Sequence, residues 1–222
     1  YSRTMGALSA SLRHFFAMPA SEPLLILEQI HLSWPHGVLF SGLEWRVHAG
    51  AALVQGGPGS GKTTVLRLLA GALSATRGRI LLQGGPVQPA QVFWAEREAA
   101  GTEQAVVCHW WRGLAARYPA WGEAALARHI DGFALAPHLD KAFFMLSTGT
   151  RRKAWLAAAL ASGAPLTLID EPLAGLDIAS ARYLSAAIAD AAQQPDRVIV
   201  VAHDVPLVDV SWTAQLALPD AK

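Results

Sequence analysis

At 222 residues, the chain is long enough for one large α/β domain with a sizeable core, and its formal net charge of +1 excludes a global field that would draw nucleic acid or anionic lipid. Hydrophobic residues make up 52% and mean hydropathy is +0.27, yet the most apolar run, AWLAAALASGAPLTLID, is broken by Ser162, Gly163 and Pro165 and is too short for a bilayer. The surplus apolar surface points instead to a partner. A single cysteine, Cys108, excludes an intrachain disulfide and is expected to serve packing rather than catalysis.

The first twenty residues hold Arg3, Arg13, several serines and no acid. That resembles a leader in composition but lacks a small-residue cleavage pattern after a long apolar core. Residues 1–22 are therefore expected to be an extension, disordered or not native to the chain, with Met18 as an alternative start. The domain is expected over residues 23–219.

From Glu22, LLILEQIHLSW and LEWRVHAG read as strands ending at turn residues. AALVQG is a short buried strand that runs into GPGSGKTT, and TTVLRLLAGAL is a helix closing at Gly71. GRILLQGGPV is a further strand with a Gly-Gly turn. Over about residues 97–146 the period turns helical, with VVCHWWRGLAARY and EAALARHIDGFAL separated by PAWG. Next come a helix opened by MLSTGTRRKAW, the strand PLTLID, the helix ASARYLSAAIADAAQQ and the strand RVIVVAH. Such alternation predicts a mainly parallel sheet covered by helices, with the helical block as an inserted subdomain. In that block Trp110, Trp111, Tyr118 and Trp121 either fill a small core or line a groove for a helix of a membrane partner.

Gly56, Gly57, Gly59, Ser60, Gly61, Lys62, Thr63 and Thr64 form a loop of the pattern G-x-x-x-x-G-K-[ST]. Small residues let successive backbone N–H groups turn inward around a phosphate, and the helix that follows adds its unpaired amides. Lys62 offers a point charge to the β and γ phosphates, and the Thr63 hydroxyl suits Mg²⁺. With a strand before it and a helix after it, this loop predicts binding of a nucleoside triphosphate.

The strand LTLIDEP ends in two carboxylates that alternation sends to opposite sides. Asp170 is placed to reach the Mg²⁺ shell, and Glu171 to orient and deprotonate an attacking water. His203, at the tip of RVIVVAH, is either a surface residue or a group that hydrogen-bonds the transferred phosphate. AGLD, from Ala174 to Asp177, reads as a tight turn with Asp177 as a helix N-cap.

From Leu24 to about Leu218, the order of glycine loop, helical insert, LSTGT, acidic strand, AGLD and terminal His resembles an ATP-binding-cassette (ABC) transporter ATPase. The resemblance implies an α/β P-loop NTPase fold with an antiparallel β subdomain beside the parallel core. It further implies that LSTGT is a signature loop closing in trans on ATP held by a second cassette, identical or not. Ser147, Thr148 and Gly149 would make that contact, although Thr148 and Thr150 depart from the family's Gly and Gln. Asp177 would sit in the loop at the dimer contact. Trp34 stands where the family stacks an aromatic on adenine, with His36 and Phe40 nearby. The family's Mg²⁺-sensing Gln has no counterpart in QVFWAEREAAGTEQ, where Glu96 or Glu98 would stand in, since Gln91 comes too early and Gln104 too late.

The function so implied is an ATP-hydrolysing subunit of a membrane transporter, with ATP and Mg²⁺ as ligands. Its partners would be a second ABC subunit and an integral membrane subunit, not nucleic acid, at the cytoplasmic face of the cell membrane. A subgroup of the family with similarly short chains, the ATPases of haem exporters in cytochrome c maturation, is a looser likeness. Two alternatives accompany this reading: an ATP-gated regulatory module with little hydrolysis, and a soluble ABC ATPase outside transport.

Overall fold

The computed structural model describes residues 22–34, 37–95 and 102–219. Extension residues 1–21, His36, Glu96 and Glu98 lie outside the described residues. In chain order the elements are β1 (Leu25–Trp34), β2 (Gly37–Val47), β3 (Gly50–Gln55), α1 (Lys62–Leu69), β4 (Arg77–Leu82), β5 (Gly85–Pro86) and β6 (Val92–Ala95). The helices α2 (Val107–Arg117), α3 (Glu123–Gly132) and α4 (Thr148–Ala161) follow. After them come β7 (Leu166–Asp170), α5 (Ile178–Ala191), β8 (Val198–His203) and β9 (Trp212–Ala217).

Two sheets result. The antiparallel one runs β2-β1-β4-β5, and the parallel one runs β6-β7-β8-β3-β9. The inner parallel strands β3, β7 and β8 are apolar on both faces because both are covered. Along β8, Val198, Val200 and Ala202 join a core with α1 and the antiparallel sheet. Ile199 and Val201 point the other way, into a core with α4, α5 and the helices after β6. β7 divides likewise, with Leu166 and Leu168 on the α1 side and Ile169 opposite. The parallel order β7-β8-β3 places the C-terminal ends of these strands side by side, the edge at which such sheets bind ligands.

The aromatics of the helical block are mostly core. Trp111 and Tyr118 are buried, with Trp111 Nε1 donating to Ala154 O at 3.2 Å and the Tyr118 hydroxyl to Val92 O at 2.9 Å. Trp110 and Trp121 are partly buried against the same cluster, and the Trp110 ring lies 4.3 Å from that of Trp155. At the far end of α4, Arg197 is 2% exposed and donates to Ala159 O, Leu160 O and Thr167 Oγ1 at 2.8, 3.1 and 2.9 Å. It satisfies carbonyls that the last helical turn leaves without intrahelical donors.

Candidate functional site: a phosphate loop facing an acidic strand end

β3 delivers the chain into the glycine loop at the sheet edge. Gly59 and Gly61 take φ of +76° and +100°, a left-handed region that L side chains rarely adopt. Gly61 caps α1 without a side-chain bond, so the first amides of the helix stay available. A Cβ on Gly56 would lie 2.4 Å from Ser60 Oγ, and one on Gly61 would lie 3.2 Å from the ring of buried Phe40. The loop from Gly57 to Thr64, with Glu171, lines a cavity of about 270 Å³.

Lys62 is 8% exposed, and its ammonium is shared. Nζ donates to Gly56 O at 2.7 Å and Gly57 O at 3.2 Å, and lies 3.4 Å from Glu171 Oε1. Below it, Thr63 Oγ1 donates to Asp170 Oδ2 at 2.7 Å. Asp170 Oδ1 is buried without a hydrogen-bond partner. A hydroxyl beside a carboxylate with one unengaged oxygen is a hard-oxygen donor set, which fits Mg²⁺.

Glu171 departs from simple alternation. Its φ is +46°, a left-handed turn at a non-glycine residue immediately past the strand, while its N–H still donates to Ala202 O at 2.9 Å. Strand periodicity alone sends its carboxylate away from that of Asp170. The turn instead brings Oε1 to the Lys62 ammonium and Oε2 to 2.9 Å from His203 Nδ1. His203 also lies 3.1 Å from Asp204 Oδ1. The expected base and the expected phosphate-contacting His are thus one hydrogen-bonded pair at the mouth of the loop.

The expected signature residues stand apart from that cavity within the chain. Ser147 caps α4, its Oγ accepting from Thr150 N at 3.1 Å and lying 2.9 Å from Thr150 Oγ1. The threonine that departs from the family's Gln therefore completes the cap. Thr148 opens the helix, and a Cβ on Gly149 would come 2.5 Å from Gly175 O. Asp177 caps α5 through Ser180 N at 2.8 Å and pairs with Lys153 Nζ at 2.6 Å. The hydrogen bond from Lys153, then those from Ser180, hold its carboxyl well below the usual carboxylate range.

Trp34 ends β1 opposite Gly37, and its side chain lies outside the described residues. Gln91 sits in a 3₁₀ turn ahead of β6, its side chain 3.0 Å from Gln88 N. Sequence reasoning missed Arg152, whose guanidinium donates to Asp170 O and to Glu171 O. The available signal was its place one helical turn before Leu156 in a row that is otherwise apolar.

An ABC transporter family profile matches residues 40–174. The cytochrome c biogenesis ATP-binding export protein CcmA of Mesorhizobium japonicum is 39% identical over 150 residues, covering 64% of this chain and 73% of that protein. Its namesake in Rhodospirillum rubrum is 37% identical over 181 residues, covering 74% of this chain and 73% of that one. Among solved structures, an ABC transporter ATP-binding protein from Pyrococcus furiosus superposes with a TM-score of 0.74 at 19% identity. That match covers 87% of this chain and 96% of the other, a likeness of fold.

Proposed function

The chain belongs to the ABC transporter family, and from that premise we propose which of its residues bind, hydrolyse and transmit. It is an ATP-binding, ATP-hydrolysing subunit that energises transport. In the proposed assignment the loop amides from Gly57 to Thr64 and the Lys62 ammonium hold the β and γ phosphates. Thr63 Oγ1 and Asp170 would hold Mg²⁺, which when bound neutralises charge developing on the phosphates. Trp34 stacks on adenine. Ser147, Thr148 and Gly149 serve the site of a second cassette, with Asp177 in the loop beside that contact.

The observation that carries the assignment is the double engagement of Glu171, with Lys62 on one oxygen and His203 on the other. An arriving triphosphate competes for Lys62, because phosphate oxygens are stronger partners for an ammonium than two peptide carbonyls. Oε1 is then released to accept a proton from water, while His203 keeps Oε2 in place. The strand-end turn thereby couples occupancy of the loop to exposure of the base.

In this reading the work is passed to an integral membrane subunit at the inner face; among the described residues no helix is long and apolar enough to cross a membrane. The relatives are named as ATP-binding export proteins of cytochrome c biogenesis, which favours an export step of that kind over a regulatory module or a machine outside transport. The test is size in solution. Glu171→Gln with ATP and Mg²⁺ is expected to sediment as a dimer and Lys62→Ala under the same conditions as a monomer. Failure of Glu171→Gln to associate with ATP overturns the shared-site assignment.

A further inference from the structure

We propose that Arg152 is a positioning residue for hydrolysis, holding the left-handed turn at Glu171 and making the place of the base depend on the place of α4. The proposal rests on the assignment of Glu171 as base. Arg152 is 7% exposed, an expensive burial for a cation unless it has a specific task. One terminal nitrogen donates to both Asp170 O and Glu171 O, the latter at 2.7 Å. The β7–β8 register ends at Asp170 opposite Ala202, with one last bond from Glu171 N–H to Ala202 O, so the grip falls at the final rung of the ladder. There Glu171 takes φ of +46°, a conformation that persists in an L residue only when its surroundings fix it.

What that turn controls is the carboxylate between Lys62 and His203. Relaxation of the peptide toward extended backbone would swing the side chain to the opposite face of the strand. The helix that carries Arg152 also starts at the Ser147 cap, abuts Gly175 at Gly149 and pins Asp177 through Lys153. α4 therefore meets the segment after β7 at Asp170, Glu171, Gly175 and Asp177, and a shift imposed at its N-terminus reaches Glu171 through the Arg152 guanidinium. A second subunit's nucleotide, engaging Ser147 to Gly149, would be felt at this chain's own base.

The experiment compares the full chain with Arg152→Met, Arg152→Lys and Glu171→Gln, reading fluorescent ATP-analogue affinity, single-turnover hydrolysis and thermal midpoint. In Arg152→Met, hydrolysis is expected to slow on the order of tenfold to a hundredfold with analogue affinity within about twofold, the signature of a displaced reacting group. Arg152→Lys keeps the charge but not the reach to both carbonyls, and is expected to recover part of the rate. A purely structural Arg152 would lower the midpoint and leave the rate per nucleotide-bound chain unchanged, and that result overturns the proposal. If the Met variant does not accumulate, a Lys variant with wild-type rate overturns it equally. A wild type no faster than Glu171→Gln removes the hydrolytic assignment itself, and this role with it.

Discussion

Lys62 Nζ lies 3.4 Å from Glu171 Oε1, so the cation proposed to hold phosphate and the carboxylate proposed to activate water share a contact. Lys62 also holds two loop carbonyls, which keeps the cradle shaped around its position. Lys62→Ala is expected to weaken ATP binding by about 1.5–3 kcal/mol, the range of a charge-assisted hydrogen bond, or on the order of tenfold to a hundredfold. Titration with a fluorescent ATP analogue measures this, and an unchanged affinity would remove Lys62 from the phosphate site.

Gly149 faces the backbone of the AGLD turn with no room for a methyl group. Its Cβ would stand 2.5 Å from Gly175 O, and neither partner is a flexible side chain. Gly149→Ala is expected to push the start of α4 away from Gly175 at an overpacking cost of about 1–3 kcal/mol. Urea unfolding reads the cost, and a variant as stable as wild type would show that the two turns yield freely.

A histidine outside the site gives the fold an acid-sensitive joint. His129 is 6% exposed, and its Nδ1 lies 2.8 Å from the Tyr183 hydroxyl, which itself donates to Arg128 O, so Nδ1–H is the donor to Tyr183. Burial, then the charges of Arg128 and Arg197, lower its pKa from 6.5 to about 4. The unfolded chain therefore takes up this proton first as pH falls from 6.5 toward 4, and stability drops across that window by at most roughly 3 kcal/mol. His129→Phe is expected to flatten this part of the pH–stability curve measured by urea unfolding. A slope unchanged by the substitution would show that other groups cause it.

Arg197 joins the end of α4 to β7 through Ala159 O, Leu160 O and Thr167 Oγ1. Burial lowers its pKa to about 10, so it stays charged at neutral pH. Arg197→Met fills similar space with no donor; Ser162 Oγ still donates to Ala159 O, and an acceptor left unsatisfied, such as Leu160 O, costs about 1–3 kcal/mol. Chemical denaturation is expected to show a loss in that range or above it. A loss below half a unit of the same scale, roughly 0.5 kcal/mol, would mean that the carbonyls find other donors.

Much of this arrangement is legible in the residues alone. The glycine spacing before Lys62 dictates the open-amide loop proposed to cradle phosphate, and the apolar runs of β3, β7 and β8 dictate strands buried on both faces. The Asp177 cap follows from residue type and position. β9 was not legible, because its half-buried, half-exposed alternation carries a weak apolar signal at a sheet edge. Nor was the turn at Glu171, since strand alternation points its side chain elsewhere and only the packed neighbours reverse it. The role of Arg152 needs the register of α4 against the end of β7, which no local pattern encodes. Thr150, a departure from the family pattern, completes the cap of Ser147, a role its residue type alone does not announce.

The most direct test of the account is single-turnover hydrolysis of ATP with Mg²⁺, wild type against Glu171→Gln, at nucleotide concentrations that saturate both. The account predicts equal binding and a rate at least about a hundredfold slower in the variant, within the range supplied by a positioned general base. Equal rates in the two proteins would contradict it.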